Sequence, residues 1–156
     1  MARSEIRTRI AAIIEADKVA LGLKRVERFT PDSIADWEEP LVFVSGTSEA
    51  VRYPQNEKML QRGQTWNIRI LYQEVGQGWT ADIQDNMDDL IDALYTLFNG
   101  NPNLRLSDAG LAGVDQVQWL GVRIDTPYSY PVGQTRKLYH SAEMSILVQF
   151  SQLCQS

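Results

Sequence analysis

Cysteine occurs once in the 156 residues, at Cys154, and histidine once, at His140. A single thiol excludes an intrachain disulfide, and a reducing compartment is its simplest setting. A catalytic thiolate would have one imidazole to activate it and no motif around it. Positive charge is also scarce: 15 Lys and Arg stand against 20 Asp and Glu, a formal net charge of −5. Tight non-specific binding to nucleic acid needs the opposite balance. The basic residues fall in small groups, Arg3, Arg7 and Arg9, then Lys24, Arg25 and Arg28, then Arg136 and Lys137. They read as solvated faces or partner contacts. No apolar run approaches the ~20 residues that span a bilayer, so no membrane partner is expected. The opening "MARSEIRTRI" lacks the apolar stretch of a signal peptide, and secretion by that route is not expected.

What is present is a globular composition, 44% apolar and 22% charged, at a length that fits one domain over residues 1–156 with a core of its own. Ile6, Ile10, Ile13 and Ile14 form one helical stripe, and Gly22 offers a stop, so a first helix is expected over residues 5–21, least firmly past Asp17. Residues 23–29 form a short strand without clean alternation. "LVFV" is wholly apolar, the pattern of a strand covered on both faces. "TWNIRILYQE" alternates, with Leu71 the exception. A second helix is expected from a Thr80 cap to Phe98, ended by Asn99 and Gly100. In "VDQVQWLGVRIDT" the apolar parity shifts by one after Trp119, the mark of a bulge that Gly121 can accommodate. Residues 49–63 are polar and Pro-broken and read as an edge strand followed by a long loop or hairpin, and residues 126–137, with two prolines and a glycine, as a loop or hairpin tip. "HSAEMSILVQFSQ" is a closing strand. Strands in runs with few helices argue an α+β fold, a mainly antiparallel sheet with two helices packed on one face.

Four features invite a chemical reading. Asp82, Asp85, Asp89 and Asp92 fall on one stripe of the second helix, opposite Ile83, Met87, Leu90, Ile91, Leu94, Leu97 and Phe98. Half a turn of separation is what an amphipathic surface helix requires. A calcium loop starting at Asp82 would need Gly and Glu where Met87 and Ala93 stand. "GQGWTA" matches a dinucleotide-binding pattern in form, but Trp79 and the nearby carboxylates oppose a pyrophosphate, and a glycine turn suffices. His140 beside Ser141 lacks a nucleophile-elbow sequence and reads as structural. Trp37, Tyr53, Tyr128 and Tyr130 lie in the expected loops, as packing lids or interface anchors, while Trp66 and Trp119 belong to strands and the core. No catalytic, metal or cofactor site emerges, and the inventory favours an interaction protein.

The order of parts carries a resemblance. An "IRTRIAAII" helix is followed by "PLVFV" and "TWNIRILYQ" strands, an amphipathic "DLIDALYTLF" helix with "NPNL" after it, then "VDQVQWLGVRID" and "AEMSILVQF" strands. Over nearly the whole chain this resembles the tail terminator proteins of long-tailed bacteriophages, also called tail-completion or minor tail proteins. The resemblance implies an α+β subunit of a hexameric ring at the head-proximal end of the tail tube, located in the virion and assembled in the bacterial cytoplasm. Its implied partners are further copies of itself, the tail tube protein and the head-completion protein. DNA passes through without tight binding, and no chemistry is performed. Within that frame Arg52, Tyr53, Lys58, Arg62, Tyr128, Tyr130, Arg136 and Lys137 are the candidate subunit or partner contacts. Asp82, Asp85, Asp89 and Asp92 face either the lumen or open solvent. The competing readings are another phage neck or tail-tube protein and a small ligand-binding α+β module.

Overall fold

The structure is a computed structural model that describes residues 3–32, 34, 39–52, 59–75, 81–101, 104, 114–132 and 135–153. Its elements are α1 (Arg3–Ala16), β1 (Arg25–Glu27), β2 (Leu41–Arg52), β3 (Met59–Glu74), α2 (Ala81–Asn99), β4 (Val114–Val132) and β5 (Thr135–Leu153). The strands form one sheet in the order β1-β2-β3-β5-β4. Only β1 and β2 run parallel; the other pairings are antiparallel. The fold is therefore α+β with a mainly antiparallel sheet, as the element order predicts.

Both helices lie on one face. The four isoleucines of α1 and Met87, Leu90, Ile91, Leu94 and Phe98 of α2 join Val42, Val44, Trp66, Ile68, Ile70, Ala142, Met144, Ile146 and Val148 in one buried cluster. Removing a buried side chain of this size from water is worth roughly 1.5–3 kcal/mol, which is why the helical stripes decide where α1 and α2 sit. α1 ends at Ala16, earlier than the expected Leu21, because Asp17 occupies the next place on the apolar stripe and stays exposed. One further turn follows. Leu23 N–H donates to the Lys18 carbonyl at 3.0 Å and Gly22 N–H to Val19 at 3.1 Å, with Gly22 at φ 71°. That pair of bonds around a left-handed glycine is a Schellman closure, so Gly22 does stop the helical path.

The opposite face holds a second, smaller core of Ile34, Leu41, Phe43, Leu71, Tyr130 and Tyr139. It explains two sequence anomalies. "LVFV" is apolar on both parities because Val42 and Val44 face the helices while Leu41 and Phe43 face this second core. Leu71 breaks the alternation of β3 for the same reason.

α2 closes with Gly100 N–H on the Thr96 carbonyl at 3.0 Å and the Asn101 side-chain amide on Leu97 at 2.7 Å. Leu104, the last residue of "NPNL", is fully buried in the main core with φ 56°. A branched residue in the left-handed region is held there by its burial.

The strand expected in the 49–63 segment is present as an extension of β2, and the loops expected around it and at 126–137 are largely strand among the described residues. Residues 46–52 are the outer half of β2, paired with residues 61–67 of β3, and residues 126–132 and 135–137 belong to β4 and β5. Alternation is blurred in these arms by prolines and by bulges, which is why sequence pattern alone reads much of them as loops. Residues 53–58 and 133–134 lie outside the described set.

Candidate assembly interface

β4 ends the sheet. It pairs with β5 over its whole length, and no described residue pairs with its other side. An open edge of this length is a template for another chain unless it is blunted. Pro127 and Pro131 blunt its distal part; the stretch from Gln116 to Ile124 carries no proline. The expected bulge falls between Trp119 and Gly121, with Gly121 at φ 155°. Its effect is to realign parity. Val117 and Trp119 pair with Val148 and Ile146, and after the bulge Val122 and Ile124 pair with Met144 and Ala142, all on the helix-bearing face. α2 covers only the first part of this strip, where Tyr95 meets Trp119 edge-on with ring centres 5.3 Å apart. Beyond it Val122 and Ile124 remain 44% and 47% exposed, while Leu120, at the bulge, opens toward the other face beside Thr65, Glu143 and Ser145. Scattered apolar exposure is ordinary, but a run along an open edge marks a contact surface.

α2 lies beside this strip and carries five aspartates, Asp82, Asp85, Asp88, Asp89 and Asp92, with no Lys or Arg. All five are exposed. The acidic stripe is thus the outer surface of a packed helix. Among the described residues no group of three or more His, Cys, Asp or Glu stands where it could hold a metal ion.

At the far end of the sheet the first two basic groups of the sequence converge. The Arg7 and Arg28 guanidinium carbons lie 5.0 and 5.1 Å from the centre of the Phe29 ring. Arg7 also donates to the Arg28 carbonyl at 3.1 Å, and Arg28 to the Thr8 hydroxyl at 3.3 Å. Phe29 is 53% exposed.

The face away from the helices holds a charged cluster that sequence reading missed. Arg69 Nη1 donates to Asp125 Oδ2 at 2.7 Å and to Ser141 Oγ at 3.3 Å, and Nη2 donates to Glu143. The guanidinium sits 4.0 Å from the centre of the Tyr128 ring. Arg123 joins at 3.1 Å from Asp125 and 3.9 Å from Glu143. Burial pushes the Asp125 carboxyl up, but the hydrogen bonds and charges of Arg69 and Arg123 outweigh it and hold it below its ordinary range. Alternation puts Arg69 with Asn67 and Gln73 on the face opposite Trp66, Ile68 and Ile70; the one signal of a covered site there is Leu71, two residues on and apolar on the same parity. The arrangement ties side chains of β3, β5 and β4 together on this face of the sheet. Ser141 is part of it: its hydroxyl donates to the Ile70 carbonyl at 2.6 Å. His140 is buried within β5.

The predicted contact residues do not form one patch. Tyr130 is a correction: it is buried at the second core, and its hydroxyl donates to the Pro31 carbonyl. Burial raises the pKa of that phenol, with Tyr128 and Asp32 adding to the rise. Tyr128 is half-buried beneath Arg69 and also packs on that core, on a strand rather than in a loop. Arg136 is exposed and donates to Ser129 Oγ at 2.8 Å, and Lys137 lies 3.9 Å from Glu74. Arg62 is half-buried on β3, opposite Val51 and Phe150. Arg52 ends β2, with its side chain outside the described set, and Tyr53, Lys58, Trp37, Cys154 and most of "GQGWTA" lie outside it altogether. No described helix is long and apolar enough to cross a membrane. Neither the protein-family models nor the curated proteins searched contain a match to this chain.

Proposed function

We propose that this chain is a structural tail terminator of a long-tailed bacteriophage, a ring subunit that caps the head-proximal end of the tail tube, stops its polymerisation and offers the surface that joins the head. The observation that carries the reading is the open β4 edge with its uncovered apolar strip, a surface suited to another protein rather than to a small substrate. The resemblance in element order and the all-acidic face of α2 support it as well. A negative surface keeps DNA moving past rather than gripping it. Electron microscopy of tails assembled with and without the chain tests the reading. Tails of unregulated length in its absence are the expected result. Tails of normal length that fail to join heads would replace it with a neck-protein role. Unaltered, joined tails would overturn both.

A further inference from the structure

The two ends of the sheet complement each other. The five aspartates of α2 equal the formal net charge of the whole chain, −5, so the remainder is balanced. Within that remainder, residues 3–32 hold seven Lys and Arg against five Asp and Glu. One end of the molecule is therefore acidic and aliphatic, and the other is basic and aromatic. On α2, Asp88 and Asp92 precede Tyr95 by seven and three residues and so share its side of the helix, the side that meets β4. Past Trp119 on the same face of β4 come Val122 and Ile124, which α2 leaves uncovered. At the other end Phe29 stands between two guanidiniums, the aromatic and Arg composition that dominates binding energy at protein interfaces.

The two patches are also level. One continuous row of paired residues crosses the sheet, Glu27, Phe43, Arg69, Glu143 and Arg123. Arg28 and Phe29 follow the first member of this row directly, and Val122 directly precedes the last. Both patches lie toward the helix-bearing side: Arg7 and Thr8 come from α1, and Val122 pairs with Met144.

We propose that a second copy of this chain docks head-to-tail, with Phe29, Arg7 and Arg28 of one copy set against Val122, Ile124, Asp88 and Asp92 of the next. Two different patches at opposite ends make a heterologous contact, the kind that propagates from copy to copy and makes a ring when its rotation closes. A two-fold contact through β4 would instead set α2 acid against α2 acid, which like-charge repulsion disfavours. The proposal deepens the ring-subunit reading and rests on it for the meaning of the assembly, but not for the contact itself.

The test uses the full chain at high protein concentration, with Cys154→Ser as background, and a short bismaleimide as cross-linker. Phe29→Cys and Val122→Cys in the same chain should give a ladder of linked species. Each alone should give none, and an equal mixture of the two singles should give dimers only. Phe29 and Val122 are both exposed, so circular dichroism should show both variants folded. Charge reversal supplies a second readout by sedimentation. Arg28→Glu, or Asp88→Arg with Asp92→Arg, should each weaken self-association roughly tenfold or more. Combining all three should restore it, and added salt should weaken the wild type. Linked dimers from Val122→Cys alone, no linkage in any sample, or no rescue by the combined reversal would each overturn the contact. Tails of normal length made without the chain would overturn the terminator reading while leaving the cross-linking pattern untouched.

Discussion

Replacing Arg69 by Met removes the cation at the centre of the β3–β5–β4 cluster and the guanidinium over Tyr128, and keeps an unbranched apolar stem in its place. Arg69 is 4% exposed at its side chain, whereas Asp125 and Glu143 keep 24% and 21%. Taking one partner from a fully buried ion pair costs about 3–5 kcal/mol, because the other charge is left uncompensated. Here water reaches both carboxylates in part and Arg123 remains beside them, so the cost is discounted to about 2–4 kcal/mol. Urea unfolding at pH 7 reads this as a lower midpoint with an unchanged slope. Neutralising the whole cluster, with Arg69→Met, Asp125→Asn and Glu143→Gln together, should return to within roughly 1 kcal/mol of the wild type, since no charge then needs a partner. The pH dependence has a definite sign. The Asp125 carboxyl is held below its ordinary value in the folded state, so its contribution is present above the unfolded pKa of about 3.9 and is lost as pH falls through the folded value. The stability gap between the wild type and Arg69→Met should therefore narrow as pH drops from about 5 toward 3. A single substitution costing under ~1 kcal/mol, or a triple variant as unstable as the single, would refute the account of the cluster as a mutually dependent charge network.

Other perturbations probe different parts of the molecule. Leu104→Ala should cost about 2–5 kcal/mol from its fully buried site, and Leu104→Gly should be no worse, because glycine relieves the left-handed φ that Ala still bears; a glycine variant about 1 kcal/mol less stable than the alanine one would contradict the backbone argument. Tyr130→Phe leaves the Pro31 carbonyl without its donor and should cost about 1–2 kcal/mol in thermal or urea unfolding. Gly121→Ala forces a Cβ into φ 155° at the β4 bulge and should destabilise by roughly 1–3 kcal/mol, although nothing crowds that Cβ within 4 Å. Lysine at all four of Asp82, Asp85, Asp89 and Asp92 should slow DNA passage if the stripe lines the lumen of a ring; normal phage infectivity would exclude that placement.

The parts of this fold that the sequence announced are those where periodicity maps directly onto burial. The isoleucine stripe of α1, the half-and-half division of α2 and the alternation of β3 each specify a local shape and the side that must leave water. The parity slip after Trp119 announced the bulge at Gly121 because a period-2 pattern cannot drift without one. A separate pattern, Met87 and Ala93 where a calcium loop needs Gly and Glu, argued against that reading of the acidic cluster.

Tertiary structure decided what periodicity cannot encode. Tyr130 beside Pro131 looks like a loop anchor in sequence, but the second core is assembled from residues as distant as Ile34, Leu71 and Tyr139, and only their convergence buries it. Arg69 alternates onto the same side as polar Asn67 and Gln73, yet it is buried because Asp125 and Glu143 arrive from two other strands to neutralise it. Exposure of the β4 strip was equally invisible: Val122 and Ile124 carry the same apolar signal as Val117, and only the reach of α2 separates covered from open. By itself the chain's pattern determined its helices, most of its strands and the faces they bury, since those follow from local geometry and the cost of wetting apolar surface. Which faces gain a second layer, which charges become internal and which edge stays open depend on long-range pairing, and those choices define the surface offered to other molecules.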